Sequence, residues 1–196
     1  MLHNDDDLLT RHKIFKFMAS IDRTASPRFY KQLSEKELSD HYVLDDKELS
    51  FARRNTRSDR GYLIIAVMLK TRRQLGYFPA LNKIPVQIIF HISKQLNLTS
   101  IVWKADEKHD GKMLHRYRSS CRKFLESSPF TEKGKKLVIT SVRNAALTMS
   151  DPADLINVAI EALVNSGIEL PAFSTLDRLV SHERHLIHEK LYLEIT

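Results

Sequence analysis

Apolar residues along this chain recur at helical spacing, and the pattern predicts an all-α fold. The clearest segment runs from Arg60 to Leu75, is apolar all round in its middle, and is followed by Gly76, a residue typical of the position after a helix. We therefore expect it to be the buried central helix of its domain. No stretch is convincing as a strand, and the 5 glycines and 6 prolines are too few for a typical sandwich or barrel.

Capping and turn residues divide the remaining pattern into further predicted helices. Asp45 and Glu48 have the spacing of a capping box, and Pro152 suits a first helical turn. The predicted ranges are Asp5 to Ala19, Asp45 to Arg54, a helix that starts at Pro85, Asp110 to Glu126, Thr131 to Thr148, Asp151 to Ser166, and a last long helix capped by Ser174. Asp59 is expected to cap the central helix.

The sequence Ser127-Ser128-Pro129 interrupts the helical pattern and marks a predicted domain boundary. We expect an N-terminal helix and connector (1–30), a first helical domain (31–127) and a second one (128–196). In the second domain, the helices on either side of the loop from Ile168 to Phe173 would form a helix-turn-helix-like hairpin. That loop is longer than the usual tight turn, so a plain helical hairpin is an equal alternative.

Charge is distributed unevenly along the chain. The block from Phe51 to Leu125 contains 16 Lys/Arg and 4 Asp/Glu, whereas residues 1–50 contain 8 and 10, and residues 126–196 contain 7 and 10. The whole positive excess of a chain with net charge +7 therefore lies in its centre. Such a concentration predicts a polyanionic partner, most commonly nucleic acid.

Composition argues against several other classes of function. Cys121 is the only cysteine, and its place on an apolar stripe favours a core residue over a catalytic thiol. No apolar run reaches the roughly 18 residues that span a bilayer, and the acidic N-terminus is unlike a signal peptide, so we expect a cytoplasmic protein without membrane contact. The histidines His182, His185 and His188 drift around their helix, and no phosphate loop or acidic trio occurs. We therefore predict no metal, cofactor or enzymatic activity in this chain.

Two groups of residues in the central block are candidate contacts to double-stranded DNA. The first surrounds a break between two helices and continues at the far end of the second one: Arg53, Arg54, Asn55, Arg57, Arg60, Arg72 and Arg73. The second is one face of the helix 110–126: Lys112, His115, Arg116, Arg122 and Lys123. Guanidinium groups match phosphates and guanine edges, and Asn55 could pair with adenine. The alternative is a merely solvated surface, although such surfaces usually mix Glu with Lys.

The last predicted helix provides a third group of candidate DNA contacts. Its N-terminal half would expose Thr175, Arg178, Ser181, His182 and Arg184. A recognition helix places the residues that read bases in this part of the helix.

The order and spacing of eight short blocks carry a family resemblance. These blocks are His41 to Leu49, Ala52 to Arg54, Leu69-Lys70, Gly76 to Pro79, Cys121-Arg122, Pro129-Phe130, Ile168 to Pro171 and Ser174 to Val180. They cover roughly residues 33–196, and together they resemble the N-terminal region of the replicative transposases of the Tn-three family.

The resemblance implies a pair of helical domains that bind the terminal inverted repeat of a transposon. It also implies that the RNase H-like catalytic domain of these enzymes, with its Asp-Asp-Glu set and Mg²⁺, lies outside this chain, together with any parts used for dimerisation. The alternative from another class of protein is an interaction module whose basic helix docks an acidic partner.

Overall fold

The computed structural model describes residues 21–29, 33–98, 103 and 111–195. These residues form helices and connecting segments without a strand, which confirms the all-α prediction. In chain order the helices are α1 (Glu35–His41), α2 (Asp46–Arg54), α3 (Asp59–Leu75), α4 (Val86–Gln95), α5 (Gly111–Phe124), α6 (Glu132–Ala145), α7 (Pro152–Asn165) and α8 (Phe173–Ile195). Short 3-10 turns occupy Ile21–Arg23 and Leu81–Lys83. The helix predicted over residues 5–19 and the predicted start at Asp110 lie outside the described residues.

The chain folds as two compact units. Residues Pro27–Ser128 form one of them, which we call the central unit. The other, which we call the terminal unit, combines the described residues up to Ser26 with those from Pro129 onward. Within it, Arg23 Nη2 lies 2.7 Å from Asp151 Oδ2, and the backbone N–H of Ala25 donates to Asn157 Oδ1 at 2.7 Å. These two bonds join the segment before the central unit to helix α7 of the terminal unit.

Helix α3 is the centre of the central unit and packs against α2, α4 and α5. Its residues from Leu63 to Arg72 are all buried, because this segment has apolar side chains on every face and three helices cover it. Gly76 ends the helix with φ 71°, a left-handed conformation that glycine adopts without strain, as its position predicted. The expected cap is wrong: Ser58, not Asp59, precedes the helix and accepts a hydrogen bond from Gly61 N at 3.1 Å.

Helix α1 was not expected from the apolar pattern, because none of its residues is buried. It is held by a capping box in which Ser34 Oγ accepts from Glu37 N and Glu37 accepts from Ser34 N. Asp45 and Glu48 form the same motif at the start of α2, as predicted. These local hydrogen bonds define the start of α1, and the partly buried Leu33 and Leu38 pack against the core of the unit.

The terminal unit is built from α6, α7 and α8, each of which contacts the other two. Its core is aliphatic and includes Val138, Val142, Leu155, Ile156 and Val180, each fully buried. Asp151 caps α7 by accepting from Ala153 N at 2.7 Å, with Pro152 in the first turn. The helix-turn-helix-like geometry of α7 and α8 stays a prediction.

Candidate nucleic-acid interface

The junction between α2 and α3 is held in shape by side chains that bond back to the backbone of α2. Asn55 Nδ2 donates to Phe51 O at 2.9 Å, and Thr56 Oγ1 donates to Ala52 O at 3.1 Å. The amide nitrogen of Asn55 carries two N–H donors, and one of them is used in this bond. Asn55 therefore helps to shape the junction, and the adenine pairing predicted for it stays a prediction.

A cleft of about 550 Å³ connects this junction with helix α5. It is lined by Arg54, Asn55, Thr56, Arg57, Ser58, Met113, Arg116 and Tyr117, and we call it the basic cleft. Three arginines from two distant parts of the sequence meet here, and no acidic side chain is among the lining residues. The cleft therefore combines members of the two basic groups that the sequence left separate.

The close approach of α5 to the start of α3 depends on Gly61. A Cβ atom at this position would lie 2.5 Å from Tyr117 Oη and 3.1 Å from Ser58 Oγ, both too close for an ordinary contact. Tyr117 is buried, and the guanidinium of the exposed Arg116 lies 5.4 Å from its ring centre. The small residue at 61 thus allows Tyr117 to fix the position of Arg116 beside the junction.

A second cleft, of about 920 Å³, lies on the other side of Arg54. Its lining consists of Asp46, Lys47, Leu49, Ser50, Arg53, Arg54, Tyr62 and Phe124, and we call it the aromatic cleft. The guanidinium of Arg53 lies 5.2 Å from the ring centre of Tyr62, and its Nη1 is 3.4 Å from Asp59 Oδ1. Sequence reasoning missed this cleft, because its lining comes from three helices, α2, α3 and α5, and the spacing of residues does not show which helix faces meet.

Other arginines of the predicted set bind within the protein. Arg73 Nη1 is 2.8 Å from Glu48 Oε1, which is buried. Arg72 is itself buried, with its guanidinium 5.9 Å from the ring centre of Phe78. A phosphate contact by Arg72 does not fit this position. Arg122 is half-buried and lies 5.2 Å from the same ring.

The remaining predicted residues of the central unit lie at its surface to different extents. Lys112, His115 and Lys123 are exposed on α5, where the two lysines continue the positive face that includes Arg116. Arg60 is half-buried in the first turn of α3. Cys121 is fully buried, which confirms a core residue, and burial raises the pKa of its thiol to about 12.

Helix α8 exposes only part of its predicted group. Arg178 and His182 are exposed one turn apart, whereas Thr175 and Ser181 are half-buried. Arg184 is also half-buried, and its Nε donates to Ser150 O at 2.8 Å. The surface of α8 that can meet a ligand is therefore smaller than the sequence predicted.

A family model described as "Domain of unknown function (DUF4158)" matches residues 17–183. The chain belongs to the DUF4158 family. It is also 24% identical over 160 residues to "Transposase for transposon Tn501" of Pseudomonas aeruginosa, and 24% identical over 166 residues to "Transposase for transposon Tn1546" of Enterococcus faecium. These matches confirm the resemblance to transposases of the Tn-three family.

The two matches include 81% and 83% of the DUF4158 chain but only 16% and 17% of the transposases. The chain thus spans less than a fifth of the length of these curated relatives. Among the described residues of this DUF4158 chain, no group of three metal-binding side chains occurs, and no helix has the length and apolar character needed to cross a bilayer.

Proposed function

We propose that this chain is a DNA-binding part of a transposase and holds double-stranded DNA at a transposon's terminal inverted repeat. The observation that carries this proposal is the basic cleft, in which Arg54, Arg57 and Arg116 lie together without a lining carboxylate. The similarity to two transposases supports the biological setting. Catalysis, with any Mg²⁺, belongs in this proposal to other parts of such a transposase.

The electrostatics of the cleft favour a phosphate ligand. Like charges on three arginines repel each other, and in the described part of the chain none of the three forms an ion pair. A phosphate placed between them would remove that repulsion and accept charge-assisted hydrogen bonds from the guanidinium groups. Lys112 and Lys123 on the same helix as Arg116 extend the positive surface along a DNA backbone, and His115 is exposed beside them.

The terminal unit provides a second, smaller contact in this proposal. Arg178 and His182 are exposed one turn apart on α8, a spacing that lets both side chains reach one groove or one strand. Two modest contacts on one chain raise the overall affinity, because binding of the second is intramolecular.

Fluorescence anisotropy of a labelled inverted-repeat duplex, titrated at several salt concentrations, tests the proposal. We expect the affinity to fall steeply with salt, and Arg57→Glu to weaken binding because it places a negative charge in the cleft. Lys83→Glu is the matched control, since Lys83 is exposed in the central unit but lines neither cleft. Equal binding by the Arg57 variant, or an affinity that does not change with salt, would contradict the proposal.

A scrambled duplex of the same length separates specific from general binding. A preference for the inverted repeat supports recognition of transposon ends. Equal affinity for both duplexes would reduce the function to general DNA binding. If neither duplex binds and an acidic protein does, the basic surface is instead a protein-docking site.

A further inference from the structure

The aromatic cleft has a composition that contact with a DNA backbone does not explain. Leu49, Tyr62 and Phe124 give it an apolar wall, although it shares Arg54 with the basic cleft. One face of the Phe124 ring is covered by Phe51, with ring centres 4.4 Å apart. The wall therefore continues the core of the unit outward to a surface that we expect to face DNA.

The paired bases of a duplex cannot reach such a wall, because they are stacked inside the helix. An unpaired base can reach it, and proteins that bind unpaired bases stack them on aromatic rings and on guanidinium planes. The stacked pair of Arg53 and Tyr62 presents both kinds of surface in this cleft. A volume of about 920 Å³ is ample for a base and its sugar.

The rim of the cleft carries the polar groups that a base edge would need. The carboxylate of Asp46 can accept a hydrogen bond from an exocyclic amino group, and the ammonium of Lys47 can donate to a carbonyl. Arg54 lines both this cleft and the basic cleft. One nucleotide could therefore place its phosphate beside Arg54 and its base against the apolar wall.

We propose that the aromatic cleft binds one unpaired base of a DNA whose backbone lies in the basic cleft. The inference rests on the proposed DNA-binding function and adds the kind of DNA that is preferred: a duplex with an unpaired nucleotide at the contact. Stacking of a base on aromatic side chains favours the unpaired nucleotide, so a preference of about tenfold over the fully paired duplex is expected.

The test compares three duplexes of the same sequence by anisotropy: one fully paired, one with a single bulged adenine, and one with a bulged abasic residue. The abasic bulge bends the DNA as the adenine bulge does but offers no base to stack. We expect the adenine bulge alone to bind about tenfold more tightly than the paired duplex. Equal affinity for the two bulged duplexes would overturn the inference, because the preference would then come from bending.

Two variants test whether the aromatic cleft causes the preference for the adenine bulge. Ser50→Leu fills the cleft from an exposed position, and Tyr62→Leu removes a ring but keeps apolar bulk; both should remove the preference for the adenine bulge. Ser39→Leu is the matched control, because Ser39 is exposed in the same unit and lines a different cleft. A preference that persists in Ser50→Leu would place the base elsewhere and overturn the assignment, even if Tyr62→Leu fails to fold.

The outcome separates this inference from the proposed function. If all three duplexes bind equally and Arg57→Glu weakens each of them, the cleft assignment is wrong and DNA binding stands. If no duplex binds the unaltered chain, both proposals are wrong.

Discussion

The central and terminal units each contain a buried glutamate that binds arginine, yet they differ in how much positive charge remains at the surface. In the central unit Glu48 binds Lys70 and Arg73, while Arg57 and Arg116 line an open cleft together with Arg54, whose Nε donates to Ser50 O at 3.3 Å. In the terminal unit, which has fewer arginines, Glu183 and the carbonyl of Ser150 bind two of them, Arg143 and Arg184. We therefore predict that the arginines left after internal pairing, more than the net charge, determine where a polyanion binds.

The largest expected effect is on the stability of the central unit. Glu48→Gln leaves the ammonium of Lys70 buried without its carboxylate, and we expect a loss of about 3–5 kcal/mol in the free energy of unfolding. Urea unfolding followed by the fluorescence of Trp103, which packs against the core of this unit, measures it.

Glu183→Gln is the counterpart in the terminal unit. Its partner Arg143 is 52% exposed and can turn toward water, so we expect a smaller loss of about 1–2 kcal/mol in the free energy of unfolding. Urea unfolding monitored by circular dichroism measures this loss. Glu132→Gln, whose contact with Lys135 is at the surface, should cost less than about 0.5 kcal/mol. Equal losses of unfolding free energy in Glu48→Gln and Glu183→Gln would contradict the expected difference in stability effects between the two units.

The next largest effect concerns DNA affinity. Arg54→Glu combined with Arg57→Glu should lower affinity about a hundredfold at moderate salt, because two phosphate contacts become repulsive. Arg178→Glu combined with His182→Glu should lower it only about tenfold. Anisotropy titrations measure both, and a larger loss from the α8 pair would reverse our ranking of the two units.

Each unit contains one closely packed glycine, and we expect its replacement to have an intermediate effect on stability. Gly61→Ala should destabilise the central unit by about 1–3 kcal/mol, because the new Cβ would meet Tyr117 Oη. Adding Tyr117→Phe removes that oxygen and should restore most of the stability in thermal unfolding.

Gly134→Ala is the substitution in the terminal unit that corresponds to Gly61→Ala in the central unit. Its Cβ would meet the Phe130 ring at 2.8 Å and Ile168 at 3.2 Å, so no single atom can be removed to relieve the contact. If Tyr117→Phe fails to rescue Gly61→Ala, the close approach of α5 is not what requires glycine at position 61.

The smallest expected effect is a pH dependence of the central unit. Burial, with a further contribution from Lys94, holds the pKa of His91 below its ordinary value of 6.5. The unfolded chain then binds this proton more readily than the folded one, so stability is full above pH 6.5 and declines as pH falls through the lower folded pKa. His91→Gln should flatten this decline in urea unfolding curves recorded between pH 7 and 5. An unchanged slope would assign the decline to other groups.

The sequence predicted those features that depend on local chemistry. The apolar centre of α3 predicted its burial, and Gly76 predicted its end. The spacing of Asp45 and Glu48 predicted the start of α2. Helix α1 was missed because nothing in it is buried, although Ser34 and Glu37 have the same capping spacing.

The candidate site was predicted less completely, because it depends on tertiary packing. Arg72 and Arg73 are neighbours in sequence, yet one is buried and the other is exposed and bonded to Glu48. Likewise, nothing local to Arg57 indicates that Arg116 lies across the same cleft. The spacing of residues along a chain identifies a charged helix face, but not which faces meet.

The hydrogen bonds that join Arg23 and Ala25 to helix α7 have a consequence for how the chain can be divided. The central unit is an insertion between two segments of the terminal unit, so two peptide connections lead into it, one near Ser26 and one near Ser128. A single proteolytic cut at either connection would divide the chain into two fragments, which the non-covalent contacts within the terminal unit would hold together. Excision of residues 27–128 would require both ends of the gap to be rejoined, as in the removal of a guest domain from its host.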